Sequence, residues 1–312
     1  MNANAATTPA AKPRRKLRRA LAIVTAVLLG LLAFFLYASG GFVRLGPPIP
    51  KTHDYLDYDN IDYLEGAGPA DPWRQLDLRL PLGVESAPIV GILHGGGWAS
   101  ATRRDGHALA EWLAERGVIG ASIDYPLVPA ATTVEQAQAA ARATAWLARH
   151  AAEFGGDPRR IFLLGHSAGG QLAALIACDR QYLDAVQAPP TVPAGVIAMC
   201  APFDLRAGPK APARWTQRMV HRAFGDDPQF RWAMSPQAHV RPGLPPFLMI
   251  RAKMDRLVIL PQSEEMAAAI RAAGGSVETL TVSGREHVSV FYRITQPGDQ
   301  ASAAVLRFVK KQ

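Results

Sequence analysis

Residues 161–177 read IFLLGHSAGGQLAALIA, and this stretch decides the fold class. An apolar run of strand length, Ile161 to Leu164, leads into Gly165-His-Ser-Ala-Gly169, and an apolar helical stretch, Gln171 to Ala177, follows. Glycines on both sides of a serine permit a tight strand-to-helix turn that holds the hydroxyl of Ser167 at the carboxyl edge of a sheet. A glycine-rich turn with an incidental serine is the alternative, but both flanks are as the G-x-S-x-G motif requires. We therefore predict a nucleophile elbow centred on Ser167.

On either side of this stretch, apolar runs of strand length alternate with longer Ala-rich segments of helical length. Such alternation predicts a mostly parallel sheet with helices on both faces, the α/β class. The clearest predicted helices are Val134 to Phe154 and Glu264 to Ala273, the latter closed by Gly274-Gly275. The predicted strands are Gln75 to Leu80, Ile89 to Leu93, Val118 to Ile123, Ile161 to Leu164, Val196 to Met199, Phe247 to Ile250 and Val277 to Val282.

A serine hydroxyl needs a base to take its proton, so a histidine must complete the site. Behind a nucleophile elbow the chain order is serine, acid, histidine. Of the eight histidines, only His287 lies beyond the last predicted strand, in the loop Ser283-Gly-Arg-Glu-His287. An exposed surface histidine is the alternative interpretation. We predict His287 as the base.

The acid that orients the histidine should also follow a strand, because it has to act from a fixed position. Asp255 comes shortly after the strand Phe247 to Ile250 and before a predicted helix. Asp204 also follows a strand and is the second candidate. We predict Asp255 as the acid.

Backbone donors for an oxyanion are predicted in His94-Gly-Gly-Gly-Trp98, which follows the strand Ile89 to Leu93. Glycine N–H groups are not shielded by side chains and can converge on the site together with the N–H of Ala168. An ordinary glycine loop is the alternative, and the elbow downstream argues against it.

Together these motifs, with Asp124-Tyr125, resemble the esterase/lipase branch of the α/β-hydrolases, which contains hormone-sensitive-lipase-like enzymes, bacterial carboxylesterases and kynurenine formamidases. The resemblance spans about residues 70 to 311. It implies an eight-stranded, mostly parallel sheet, a cofactor-free and metal-free Ser-His-Asp mechanism, and oxyanion donors at Gly96, Gly97 and Ala168, with the choice among Gly95, Gly96 and Gly97 open. Two positions depart from the pattern: Pro126 stands where many relatives carry Arg, and His166 replaces an Asp common in the hormone-sensitive-lipase group.

The expected reaction is hydrolysis of a small carboxylic ester through an acyl-enzyme intermediate. An amidase, either a formamidase or a peptidase, would use the same residues. A membrane-tethered binding protein on an inactive scaffold is a further alternative. Residues 205–245 are too long for a plain connection and predict a small cap. Its large apolar residues, Trp215, Met219, Phe224, Phe230 and Trp232, are equally compatible with cap core and with substrate contact.

The net charge of +8 is concentrated at the N-terminus, where six Lys and Arg residues fall between Lys12 and Arg19. Because the rest of the chain is only +2 and has no basic stripe, the charge does not indicate a nucleic-acid partner. The uncharged stretch from Ala20 to Val43 would span about 36 Å as a helix, enough for a bilayer core of about 30 Å.

We therefore predict a basic cytoplasmic tail at 1–19, a single transmembrane anchor at 20–43, a linker at 44–52 and a catalytic domain at 53–312. That domain would lie in the periplasm or outside the cell. A cleaved signal peptide is the alternative, since Ala38-Ser-Gly40 offers small residues for cleavage, but the apolar run exceeds the usual length. The only cysteines, Cys178 and Cys200, stand in apolar contexts and predict buried thiols rather than a disulfide framework.

Overall fold

An eight-stranded sheet forms the centre of the part of the chain that the computed structural model describes, residues 47–64, 72–206, 214–258 and 260–311. The strand order is β1-β2-β4-β3-β5-β6-β7-β8. Strand β2 runs antiparallel to both of its neighbours, and the strands from β4 to β8 are parallel. The strands are β1 Tyr55–Asp62, β2 Gln75–Pro81, β3 Ala87–Leu93, β4 Ile119–Ile123, β5 Gly156–His166, β6 Gly195–Met199, β7 Phe247–Ala252 and β8 Val277–Val282.

The central strands are apolar where both faces of the sheet are covered, as in β3, β6 and residues 161–165 of β5. Along β5, Ile161 and Leu163 pack into one buried cluster, and Phe162 and Leu164 pack into the cluster on the other face. Side chains alternate between the two faces of a strand, so a strand buried on both faces has no place for a polar side chain. Because β3, β5, β6, β7 and β8 are parallel, their carboxyl ends lie at the same edge of the sheet.

Helices cover both faces of this sheet. One of the two buried apolar clusters contains residues of the helices at 133–150 and 168–178, and the other contains residues of the helices at 107–114 and 300–311. The helices are α1 His107–Ala114, α2 Thr133–His150, α3 Ala168–Cys178, α4 Gln181–Asp184, α5 Arg214–Phe224, α6 Pro228–Ala233, α7 Leu260–Ala272, α8 Ser289–Tyr292 and α9 Gln300–Lys311.

The seven strands predicted from apolar runs are confirmed, with ends that differ by a few residues. The eighth strand, β1, was not predicted, because four of its eight residues, Tyr55–Asp62, are Asp or Asn. It lies at the edge of the sheet with most of its side chains exposed, so burial does not demand an apolar run there.

The two thiols are free and buried, as predicted for Cys178 and Cys200. The predicted tail and the anchor at 20–43 lie outside the described residues. Within the described ranges, every helix is too short or too polar to cross a bilayer.

Candidate active site

The turn at Ser167 joins the end of β5 directly to the start of α3. Ser167 has φ 54° and ψ −117°, a sparsely populated conformation for a residue with a side chain. Its flanking glycines are required by close backbone contacts. A Cβ on Gly165 would lie 2.1 Å from the carbonyl oxygen of Gly169, and one on Gly169 would lie 2.2 Å from the carbonyl oxygen of Leu93. The turn can therefore be this tight only with glycine at both positions.

Ser167, His287 and Asp255 are joined by two hydrogen bonds, although they come from three separate loops at the carboxyl edge of the sheet. The Nδ1 of His287 lies 2.8 Å from Oδ2 of Asp255, and its Nε2 lies 2.8 Å from Oγ of Ser167. A carboxylate can only accept a hydrogen bond, so Nδ1 carries the proton and donates a hydrogen bond to Asp255. The bare Nε2 then accepts from the Ser167 hydroxyl, which is the arrangement that a base needs.

Asp255 is held as a carboxylate by its surroundings. Burial alone would raise its pKa. The hydrogen bond and charge attraction of His287 oppose that effect, as do the N–H groups of Val258 and Leu257, and the pKa stays below its ordinary value. The second candidate acid, Asp204, does not take part in this chain of contacts. It accepts instead from Arg206, at 2.8 Å.

The loop that carries His287 is anchored by a buried ion pair that sequence reasoning missed. Arg285 has no exposed side-chain surface and donates to Asp299, at 2.8 Å, and to Gln296, also at 2.8 Å. Asp299 in turn accepts from the N–H of Ala301 at the start of α9. The sequence placed Arg285 two residues from the base, but nothing in it indicated that the partner would be Asp299, directly before the last helix.

The predicted oxyanion loop presents unpaired backbone donors. Among the described residues, the N–H groups of Gly96, Gly97 and Ala168 donate to no protein acceptor. Gly96 and Gly97 have φ of 106° and 59°, which favour glycine. Gly95 differs, because it has no positive φ and a Cβ there would lie 2.8 Å from Nδ1 of His166. The first glycine of the triplet thus makes room for His166.

Trp98 fastens this loop to the helices beneath it through two buried glutamines. Its indole Nε1 donates to Oε1 of Gln171 on α3, at 2.9 Å. Its carbonyl oxygen accepts from Nε2 of Gln136 on α2, at 2.8 Å. Both glutamines are fully buried, and Gln171 also donates to the carbonyl oxygen of Met234. A glutamine within an apolar helix was the only sequence signal for these contacts.

Tyr125 and a buried charge cluster support the loop from the other side. The Tyr125 hydroxyl donates to the carbonyl oxygen of His94, at 2.8 Å, and the two rings stack with centroids 4.3 Å apart. The neighbouring carboxylate of Asp124 accepts from the backbone and the guanidinium of Arg103, which also pairs with Asp77 at 2.8 Å. The Asp-Tyr pair noted in the sequence therefore fixes the position of the glycine loop.

Helix α5 lies over the same loop. A Cβ on Gly97 would lie 2.7 Å from Sδ of Met219, and the ring of Phe224 meets that of Trp98 edge-on, with centroids 4.9 Å apart. Helix α5 also borders a cavity of about 450 Å³ shared with the segment after β6 and the loop of Asp255, with lining residues that include Leu205, Val220 and Val258. Phe224 is thus buried in the same apolar cluster as Trp98. The side chain of Trp215 is not among those described.

Two groups of side chains among the described residues have donor atoms close enough to hold a metal ion, but each has protein partners. Cys200, Asp255 and His287 have donor atoms within 4.8 Å of one another. Burial raises the pKa of the Cys200 thiol well above its ordinary value, which disfavours the thiolate that a metal binds. In the second group, the carboxylates of Asp59 and Asp77 are occupied by Arg79 and Arg103.

The sequence model of the BD-FAE family matches residues 76–270, which is more than half of the chain. The chain belongs to the BD-FAE family. Its fold and motifs place this family member in the esterase/lipase superfamily of α/β-hydrolases.

Curated relatives of this BD-FAE member are named as ester hydrolases. The probable carboxylic ester hydrolase LipM of Mycobacterium tuberculosis is 29% identical over 248 residues, covering 75% of this chain and 57% of LipM. The probable isoprenylcysteine alpha-carbonyl methylesterase ICMEL1 of Arabidopsis thaliana is 25% identical over 279 residues, covering 84% of this chain and 56% of that protein. The chain thus spans little more than half the length of these relatives.

Solved structures share the architecture. Esterase B from Lactobacillus rhamnosis HN001 superposes with a TM-score of 0.71 at 23% identity, covering 93% of this chain and 94% of that one. At this level of identity the likeness concerns the fold alone.

Proposed function

We propose that this protein is a carboxylesterase that cleaves small esters through an acyl-enzyme intermediate. The observation that carries the proposal is the continuous pair of 2.8 Å hydrogen bonds from Ser167 through His287 to Asp255. They meet beside a helix N-terminus and a glycine loop with unpaired N–H groups, so nucleophile, base, acid and oxyanion donors are at one place.

In the proposed mechanism, Oγ of Ser167 attacks the acyl carbon while Nε2 of His287 takes the hydroxyl proton. Asp255 keeps the imidazole in the required tautomer and stabilises the imidazolium. The N–H groups of Gly96, Gly97 and Ala168 donate to the oxyanion. His287 then gives its proton to the leaving alcohol, and water, activated by the same imidazole, releases the acid and restores Ser167.

Ester cleavage is favoured over amide cleavage by the names of the relatives, which are a probable carboxylic ester hydrolase, a probable methylesterase and an esterase. The cavity of about 450 Å³ beside α5 has the size of a small-molecule site, but Ser167 and His287 do not line it, so it does not define the acyl pocket. We expect short acyl groups to be preferred, because further methylenes add no transition-state binding once an acyl pocket is full.

The test is a chain-length series with p-nitrophenyl acetate, butyrate and palmitate, measured on the full-length protein in detergent. We expect the highest kcat/KM for the short esters and loss of turnover in Ser167→Ala with the fold retained. Turnover by Ser167→Ala would refute the nucleophile assignment. Cleavage of N-formyl aryl amides with negligible ester turnover would establish the amidase alternative.

The proposal also includes membrane attachment through residues 20–43, with the catalytic domain on the side opposite the basic tail. It is supported by the 24 uncharged residues that follow six positive charges. A mature chain that begins near Gly41 would establish the cleaved signal peptide instead.

A further inference from the structure

His166 is the last residue of β5, directly before the predicted nucleophile, and its buried ring contacts the loop of the predicted base. Its Nε2 lies 2.7 Å from the carbonyl oxygen of His287. A carbonyl can only accept, so Nε2 of His166 carries the proton. The ring also stacks on Phe291 of α8, with centroids 5.0 Å apart and planes 12° apart. His166 therefore holds the backbone carbonyl of His287, the predicted base.

The opposite edge of the same ring faces the oxyanion loop. Gly95 approaches it so closely that a Cβ there would lie 2.8 Å from Nδ1 and 3.3 Å from the carbonyl oxygen of His166. One side chain thus joins three parts of the site: the nucleophile elbow, the glycine loop and the base loop. Neither the proposed mechanism nor the predicted sheet requires a histidine here.

We infer that His166 is a positioning residue of the proposed esterase: its Nε2–H fixes the carbonyl of His287 and so sets where that imidazole meets Ser167. The inference rests on the proposed function, since it assigns a role within that reaction. Base catalysis depends on a hydrogen bond of about 2.6–3.2 Å, and a displacement of about 1 Å can cost about a hundredfold in rate. A fixed carbonyl on the base residue itself limits such displacements.

This role requires a proton on Nε2, and the surroundings keep the ring otherwise uncharged. Burial, followed by the charge interaction with His287, lowers the pKa of His166 to about 3, although the hydrogen bond to the His287 carbonyl and the charge of Asp255 act in the opposite direction. These two residues are the titratable groups that face the ring, from the base loop and from the loop after β7. The ring of His166 therefore stays neutral, with its proton on Nε2, at pH values well above 3.

Two substitutions separate positioning from mere packing. His166→Phe keeps a ring that can stack on Phe291 but leaves the carbonyl of His287 without its donor. His166→Gln removes the ring but places an amide N–H at about the distance of the imidazole Nε2. His150→Phe is the matched control. His150, at the end of α2, also stacks on an aromatic ring, that of Trp146, and it forms a hydrogen bond with Glu153 in the turn after α2.

The assay is p-nitrophenyl acetate hydrolysis by full-length protein, with thermal unfolding measured in parallel. We expect His166→Phe to lower kcat about 10- to 100-fold with little change in KM, because the base is displaced while the binding surface remains. His166→Gln should recover about tenfold of that loss, and His150→Phe should match the unmodified protein. Wild-type kcat in His166→Phe, or no recovery in a folded His166→Gln, would overturn the inference.

A measurement that needs neither turnover nor a stable variant completes the test. Histidine-selective ¹⁵N spectra of the full-length protein at pH 7 should show His166 neutral with its proton on Nε2, and a proton on Nδ1 would overturn the inference. An unmodified protein without esterase activity would refute the proposed function instead, and the tautomer would still decide whether His166 holds the base loop.

Discussion

Replacing His166 by glutamine should make the protein markedly less sensitive to acid. The ordinary pKa of a histidine is 6.5, and burial lowers that of His166 to about 3. Between these values the unfolded chain binds a proton that the folded chain does not, so stability falls as the pH falls below 6.5. Each pH unit costs about 1.4 kcal/mol, which gives a loss of about 3 kcal/mol at pH 4.5. The glutamine side chain of the variant has no proton to gain.

The assay is urea unfolding of the full-length protein in detergent at pH 7.5 and pH 4.5, for the unmodified protein and His166→Gln. Other groups, including the buried His94 with its lowered pKa and Asp255, are common to both proteins and cancel in the comparison. We expect the pH-dependent loss to be about 3 kcal/mol smaller in the variant. Equal losses in the two proteins would refute the claim that His166 is buried in its neutral form.

Four further changes test other parts of the structure. Asp299→Ala leaves the buried charge of Arg285 without its partner and should lower the free energy of unfolding by urea by about 3–5 kcal/mol. The control Asp184→Ala removes an exposed partner of Arg180 and should lower it by less than about 1 kcal/mol. Similar losses in the two variants would contradict the anchoring role of Asp299. Asp255→Asn should lower kcat by about 10⁴ with the fold intact, whereas Asp184→Asn should leave kcat unchanged; a small effect at Asp255 would reopen the choice of acid. Gly169→Ala places a Cβ within 2.2–2.3 Å of two carbonyl oxygens, so ester turnover should collapse and thermal unfolding should come earlier; wild-type behaviour would mean a looser elbow. Protease added outside the inner membrane should digest the catalytic domain, and full protection would argue against the proposed orientation.

The sheet was predictable wherever burial dictates an apolar run. Strands such as β3 and β6, covered on both faces, are apolar along their whole length. The edge strand β1 is not, because five consecutive residues along it are exposed. The extension of β5 back to Gly156 was missed for the same reason, since Arg159 and the residues around it are polar and partly exposed.

Within the site, the residues that require a particular chain order or backbone shape could be found from the sequence. Ser167, Asp255 and His287 follow strands in the order that this motif has, and the structure places them in hydrogen-bond contact. The supporting contacts could not be found, because each joins segments far apart in the chain. Gln171 reaches Trp98 across 73 positions, and no local pattern specifies such a partner.

The central claim, that Ser167 is the nucleophile of an active hydrolase, is tested most directly by labelling with a fluorophosphonate and mapping the adduct by mass spectrometry. A serine activated by His287 attacks phosphorus as it attacks an acyl carbon and stays covalently bound. We predict one adduct per chain, on Ser167, that is absent in Ser167→Ala and strongly slowed in a folded His287→Ala variant. No adduct on the folded, unmodified protein, or an adduct on another residue, would contradict the account.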